Sequence, residues 1–302
     1  MKKDLLSVSD LSPEEIKQLI EQALRIKQKG VQALLSGKIL ALLFEKPSLR
    51  TKVSFEVAMQ QLGGHAIYLS PDEVGLGRRE SIPDVARVLS RYVDGIAART
   101  FSHQTLLTLA EYSSVPVINA LSDIEHPCQA LADFFTIYEK KGSLAGLTLA
   151  FIGDGNNVAN SLLLAASLTG MNFSIASPPG YEIGNEVLKQ SRGFAVLSGS
   201  QIVLTNEPCE AVRNADVVYT DVWTSMGQEA EAAKRHLVFS GYQVDEELLS
   251  LAKRDALFMH PLPAHRGEEI SARLLDSAQS VVFDQAENRL HLQKALLAKM
   301  LS

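Results

Sequence analysis

The sequence predicts an α/β protein made of two doubly wound, parallel-sheet domains. Three observations predict it. Strand-length apolar runs alternate with amphipathic helical stretches, the alternation breaks and restarts near residues 140–146, and the chain closes on one long helical pattern. At 302 residues, with 46% hydrophobic and 21% charged side chains, the chain can bury sizeable cores.

The elements follow in order. Ser12-Pro13-Glu14-Glu15 supplies a capping serine, proline at the first helical position and glutamate three residues after the cap; Ile16, Leu19, Ile20, Ala23 and Leu24 then recur at helical spacing. Residues 38–44 (KILALLF) form a short apolar run, Phe55, Ala58, Met59 and Leu62 mark an amphipathic helix, and 66–69 (AIYL) is apolar again, a βαβ unit. Runs at 95–98 and 116–119 extend this first sheet, and 129–140 reads as a helix. After Gly142 and Gly146 the series restarts, with strands expected at 147–152, 171–176, 201–204, 217–220, 257–259 and 281–283. Residues 286–301 predict the final helix. The domains expected are therefore 1–140, with the last helix packing back on it, and 141–285.

Composition removes several function classes. The net charge is −6 and the lysines and arginines are scattered, so no basic stripe for nucleic acid exists. The two cysteines, Cys128 and Cys209, lie far apart without metal-ligand spacing, which points away from a disulfide framework or a cysteine zinc site and towards a reducing compartment. No apolar run is long enough for a signal peptide or a membrane span, so the cytoplasm is the expected location.

The motifs with chemistry cluster at predicted strand ends. Ser48-Leu49-Arg50-Thr51-Lys52 lies between a strand and a helix, where unpaired N–H groups and the helix dipole favour an anion and an arginine fork can grip two phosphate oxygens; the plainer reading is an N-cap serine beside exposed cations. Arg99 follows the strand at 95–98, at the edge where open α/β sheets bind ligands, or else forms a surface ion pair. His126-Pro127-Cys128-Gln129 puts an imidazole and an amide on neighbouring helical positions. Gly153-Asp154-Gly155-Asn156-Asn157 suggests a dinucleotide fingerprint but lacks the third glycine, where Val158 stands, and no acidic residue closes the next strand. Asn157 is left to hold a small carboxylate or to cap the helix. Asp221, after the strand at 217–220, suits an ammonium group, and Ser225-Met226-Gly227 reads as a flexible turn. His260-Pro261-Leu262-Pro263 is a stiff turn whose carbonyls point outward, with Leu262-Pro263 a candidate cis bond.

Together these segments resemble the aspartate/ornithine carbamoyltransferase family, whose S-T-R-T-R, H-P-x-Q and late L-P motifs stand here as SLRTK, HPCQ and HPLPAHRGEE. The resemblance runs almost end to end. FEKPSLRTKVSFE, GDGNN and DVWTSMGQE are similar to the ornithine branch in particular. It implies an active site in the cleft between the two domains. Ser48, Leu49, Arg50 and Thr51 would bind the phosphate of carbamoyl phosphate, with Arg289 a further contact, while Arg99 and His126 polarise the carbonyl and Gln129 holds the amine. Asn157 and the Met226 backbone would hold the ornithine carboxylate, Asp221 and Ser225 its α-amine, and the Pro261 and Leu262 carbonyls the carbamoyl N–H groups. It also implies transfer of the carbamoyl group to the δ-amine of L-ornithine, no metal or organic cofactor, and a homotrimer or a multiple of trimers.

Four positions depart from the family pattern. Leu49 replaces a threonine used mainly through its backbone, and Lys52 replaces an arginine, keeping charge without the fork. Gly75 stands where a glutamine or histidine reaches a neighbouring subunit, leaving Arg78 or Arg79 to compensate. Pro261 replaces the cysteine of the ornithine branch and matches the aspartate branch. The alternatives are therefore another amine acceptor (an acylornithine, putrescine or aspartate), a non-catalytic metabolite-binding paralogue, and, from another class, a nicotinamide dehydrogenase. Asp221 with S-M-G argues against putrescine and aspartate, and acylation would remove the cation that Asp221 pairs with. The missing glycine argues against the dehydrogenase, and the presence of Arg50, Arg99 and His126 against the paralogue.

Overall fold

A computed structural model describes residues 3–30, 32–77, 79–225 and 227–302. The chain divides into two compact units, Met1–Phe135 with Glu287–Ser302, and Thr136–Ala286. Both divisions fall inside helices, Pro127–Lys141 and Val282–Leu301, rather than at the glycines of 142–146 where the sequence pattern restarts.

Unit one holds four parallel strands, β1 (Ile39–Phe44), β2 (His65–Leu69), β3 (Gly95–Arg99) and β4 (Val117–Leu121), in the order β2-β1-β3-β4. The unbroken apolar sequence of β1 suits a central strand covered on both faces, and all of it but Ile39 is buried. Each large aliphatic side chain so buried contributes about 1.5–3 kcal/mol. Beyond β4, Leu5 bridges Ile118: the Leu5 N–H donates to the Val117 carbonyl at 2.9 Å and the Asn119 N–H to the Leu5 carbonyl at 2.8 Å. The order reverses between β1 and β3, where Phe44 stands beside Arg99.

Unit two holds five parallel strands, β5 (Thr148–Ile152), β6 (Asn172–Ala176), β7 (Ile202–Thr205), β8 (Val217–Thr220) and β9 (Leu257–Met259), in the order β7-β6-β5-β8-β9. Its reversal lies between β5 and β8, with Ile152 beside Thr220. In both units the carboxyl edge at the reversal is the place where crossover helices diverge and leave a crevice. The strand expected at 281–283 is not formed. One bridge joins Ser280 to Phe258, and from Val282 the chain is already in the closing helix, so the apolar Val282 is buried from a helix and Phe283 faces outward. Among the described residues no helix is long and apolar enough to cross a membrane.

Candidate active site

In unit one, β1 runs through Glu45–Pro47 into the helix Leu49–Gln61, capped by Ser48, whose Oγ accepts from the Thr51 N–H at 3.2 Å. Leu49 is exposed and Thr51 buried. Arg289, buried on the closing helix, donates through Nη2 to Thr51 Oγ1 at 2.7 Å and through Nη1 to Gln129 Oε1 at 2.8 Å. Gln129 in turn donates through Nε2 to Asp133 Oδ1 at 2.8 Å, so both ends of its amide are held. One guanidinium thus ties the start of the Ser48 helix to the start of the helix Pro127–Lys141.

Arg99 ends β3 and is buried, with its Nε lacking a hydrogen-bond partner among the described residues. Burial, then the nearby Arg289 and Arg50, pull its guanidinium down to about 10. His126 is also buried; burial first, then Arg289 and Arg99, hold its imidazole well below its ordinary value, so it is neutral at physiological pH. Three arginines crowd against one another at the sheet reversal, an arrangement that costs energy alone and is relieved by an anion. Cys128 donates to the Asn119 carbonyl at 3.5 Å, and burial pushes its thiol up to about 12, which removes it as a nucleophile.

Two of the departures have local explanations. The Lys52 ammonium sits 4.0 Å above the Tyr68 ring, a cation–π contact that turns it to its own sheet edge. Gly75 caps the short helix Pro71–Val74 in the left-handed conformation, and Arg79 closes back on this loop, its N–H donating to the Gly75 carbonyl at 2.8 Å. Arg78 and Met226 lie outside the described residues.

In unit two, β5 leads into the Gly153–Asn156 turn and the helix Asn157–Thr169. The cap is Asn156, one residue before the asparagine the sequence singled out: its Oδ1 accepts from the Val158 and Ala159 N–H groups at 2.9 and 3.0 Å, and its Nδ2 donates to Asp221 Oδ2 at 2.8 Å. Asn157 is the first residue of the helix itself. Gly155 has a packing role: a Cβ there would lie 2.4 Å from the Ile183 nitrogen and 2.5 Å from the Glu182 carbonyl carbon. Gly155 therefore serves a close backbone crossing and Gly153 a positive φ of 137°, and no dinucleotide fingerprint is needed to account for them.

Asp221 follows β8, and its Oδ1 accepts from the Val222 N–H at 2.9 Å. Burial raises its carboxyl above the ordinary value, against the opposing pull of His260, Asn156 and Val222. Ser225 closes a turn on Gln228, its N–H meeting Gln228 Oε1 at 3.1 Å. Arg235, which sequence reasoning missed, anchors this loop: buried, it donates to Asp154 Oδ2 at 2.6 Å and to the Trp223 carbonyl at 3.0 Å. A lone arginine within a helical stretch gives no signal of such a role.

After β9, His260 is fully buried, its Nε2 is 3.1 Å from Glu269 Oε1 and its Nδ1 accepts from the Leu262 N–H at 2.9 Å. That acceptor role at Nδ1 fixes the proton on Nε2. Leu262 has φ of 56° and the Leu262-Pro263 bond is cis. The imidazole therefore holds a turn whose left-handed leucine costs about 1–2 kcal/mol. Pro261 is buried and Leu262 half-buried.

Residues 3–139 match the family described as aspartate/ornithine carbamoyltransferase, carbamoyl-P binding domain, and residues 145–300 its Asp/Orn binding domain. The chain belongs to the aspartate/ornithine carbamoyltransferase family. Among its relatives, the ornithine carbamoyltransferase of Anoxybacillus flavithermus is 55% identical over 99% of this chain and 96% of its own length. The solved ornithine carbamoyltransferase of Pyrococcus furiosus is similar with a TM-score of 0.95 at 52% identity, over 99% of this chain and 96% of that one. The Thermus thermophilus enzyme follows with a TM-score of 0.92 at 48% identity, over the whole of both chains.

Proposed function

We propose that the chain transfers the carbamoyl group of carbamoyl phosphate to the δ-amine of L-ornithine, giving L-citrulline and phosphate. The observation that carries the donor half is the Arg289 fork, which joins Thr51 and Gln129 in one cradle beside Arg99. In this reading the phosphate sits on the N–H groups and hydroxyls of Ser48, Leu49 and Thr51 with Arg50 and Arg289, while Arg99 and the neutral His126 donate to the carbamoyl oxygen and Gln129 Oε1 faces the carbamoyl amine. A neutral imidazole donates a hydrogen bond without a competing charge, and its low pKa keeps it neutral through the working range. The δ-nitrogen forms a bond to the carbamoyl carbon, the bond from that carbon to the phosphate oxygen breaks, and the amine proton is released. Charge that builds on the carbonyl oxygen meets donors already fixed in place.

For the acceptor, Asn157 and the Met226 backbone hold the ornithine carboxylate, Asp221 and Ser225 its α-ammonium, and the Pro261 and Leu262 carbonyls the carbamoyl N–H groups. The relatives' names and the Asp221 carboxylate beside the Asn156 amide support ornithine over amines without a free α-ammonium. Purified protein supplied with carbamoyl phosphate and ornithine, acetylornithine, putrescine or aspartate is expected to make citrulline from ornithine fastest. Absence of phosphate release with every one of these amines, or fastest release with an amine other than ornithine, would overturn the reading.

The assembly proposed is a homotrimer in the cytoplasm. Leu49 and Val53, exposed and four residues apart on one helix, and Ile67 on the edge strand β2 offer apolar surface for a neighbouring copy. Sedimentation should give a mass of three chains or a multiple of three.

A further inference from the structure

The turn that carries Pro261 and Leu262 continues into His265-Arg266-Gly267-Glu268-Glu269, whose last two carboxylates have no part in the proposed chemistry. Three ligand-type side chains meet there. His265 Nδ1 lies 3.9 Å from Glu268 Oε2 and 3.8 Å from Glu269 Oε2, and the three ligand atoms all fall within 4.8 Å of one another. Carboxylates often gather at a surface without holding anything, and Glu269 is what sets this group apart. It is fully buried, and its two oxygens differ. Oε1 accepts from the His260 Nε2–H and from the His265 backbone N–H at 2.5 Å. Oε2 is shielded from solvent, has no hydrogen-bond partner among the described residues, and is turned towards His265. A buried carboxylate oxygen left without a donor is costly, and such an atom in a folded protein calls for an occupant.

A divalent cation meets that need. Metal–ligand distances of about 2.0–2.2 Å put tetrahedral ligand atoms about 3.4 Å apart. The two gaps to His265 Nδ1, 3.8 and 3.9 Å, therefore shorten by about half an ångström, and the two carboxylates, within 4.8 Å of each other, draw in by at most about 1.4 Å through movement of the half-exposed Glu268. Two carboxylates balance the charge of the ion. One imidazole among the ligands selects zinc and its first-row neighbours over magnesium or calcium, which prefer oxygen alone. An outer partner is already in place, because His260 holds the other oxygen of Glu269 and fixes the plane of that carboxylate. We propose that His265 Nδ1, Glu268 and Glu269 form a divalent transition-metal site of the zinc class, with water completing the coordination.

The full chain, dialysed against a chelator, is titrated with Co²⁺ and followed by its visible absorption. One equivalent per chain should bind with the d–d bands of a low-coordinate nitrogen–oxygen site and no thiolate charge-transfer band. Even outer-shell partners of a metal carry about 10–100-fold in affinity, so His265→Ala and Glu268→Gln should each weaken binding by at least about tenfold. Neither side chain is assigned to substrate, and both are half-exposed, so the variants should fold and keep their circular dichroism. Cys209→Ser should bind as the parent does. Zn²⁺ calorimetry should give the same stoichiometry and the same ranking of variants. The proposal is overturned by absence of uptake, by a thiolate band that disappears in Cys209→Ser, or by unchanged affinity in His265→Ala. Metal uptake is read without turnover, so either outcome leaves the carbamoyl-transfer reading to its own assay.

Discussion

Arg289 and Asp221 each concentrate several contacts in one side chain, one in each unit. Arg289→Lys keeps the charge but cannot span Thr51 Oγ1 and Gln129 Oε1 together. Hydrogen bonds to charged groups are worth about 1.5–3 kcal/mol, so carbamoyl phosphate affinity should fall roughly ten- to a hundredfold, measured by isothermal calorimetry with the ornithine-free protein. An unchanged affinity would remove Arg289 from the cradle. Asp221→Asn should raise KM for ornithine by a similar factor while leaving carbamoyl phosphate binding alone. Because burial raises the Asp221 carboxyl, the parent's ornithine KM should also begin to rise as pH falls towards a value above the ordinary carboxylate range. The sequence singled out Arg289 only through the family resemblance. No spacing links position 289 to positions 51 and 129, and their meeting depends on the closing helix returning to unit one.

At the scale of the element, most of the fold is legible in the sequence because a parallel strand is an unbroken apolar run and its crossover helix has an apolar stripe. The run at 38–44 and the helix beginning after Ser12-Pro13 are cases in point, and both form close to where the pattern puts them. Residues 281–283 show the limit. A three-residue apolar stretch has no period, and burial of Val282 against unit two's core from a helix satisfies it as well as a strand would. The adjacent asparagines are a second limit, because either can cap a helix and only the backbone conformation selects Asn156. Gly155 looked like part of a ligand motif and is a point where two backbones pass. Gly155→Ala should therefore cost about 1–3 kcal/mol by overpacking, seen as a lower midpoint in urea. A neutral effect would mean that the 182–183 segment yields at no cost.

At the scale of the whole molecule, titration links the site to stability. His126, His103 and His291 are each held below the ordinary histidine value, burial being the first cause in all three. The unfolded chain then binds more protons than the folded one below about pH 6.5, so stability is full above that value and falls as pH drops through it. One histidine that stays neutral contributes a slope of about 1.4 kcal/mol per pH unit in that window. The raised carboxyls of Asp4, Asp154 and Asp221 act in the opposite sense, with the folded chain taking up protons first above pH 3.8. The melting temperature should decline between pH 7 and pH 5.5, and His126→Asn should flatten that decline; an equal slope in the variant would contradict the burial of a neutral imidazole.

The two thiols differ in exposure. Cys128 is enclosed at the start of a helix with its proton held tightly, while Cys209 is exposed on the short helix Pro208–Val212 of unit two. An alkylating reagent that acts on the thiolate therefore meets one address per chain. A fluorophore or spin label can be attached at Cys209 without removing any native residue, which gives this protein a ready-made reporter on unit two.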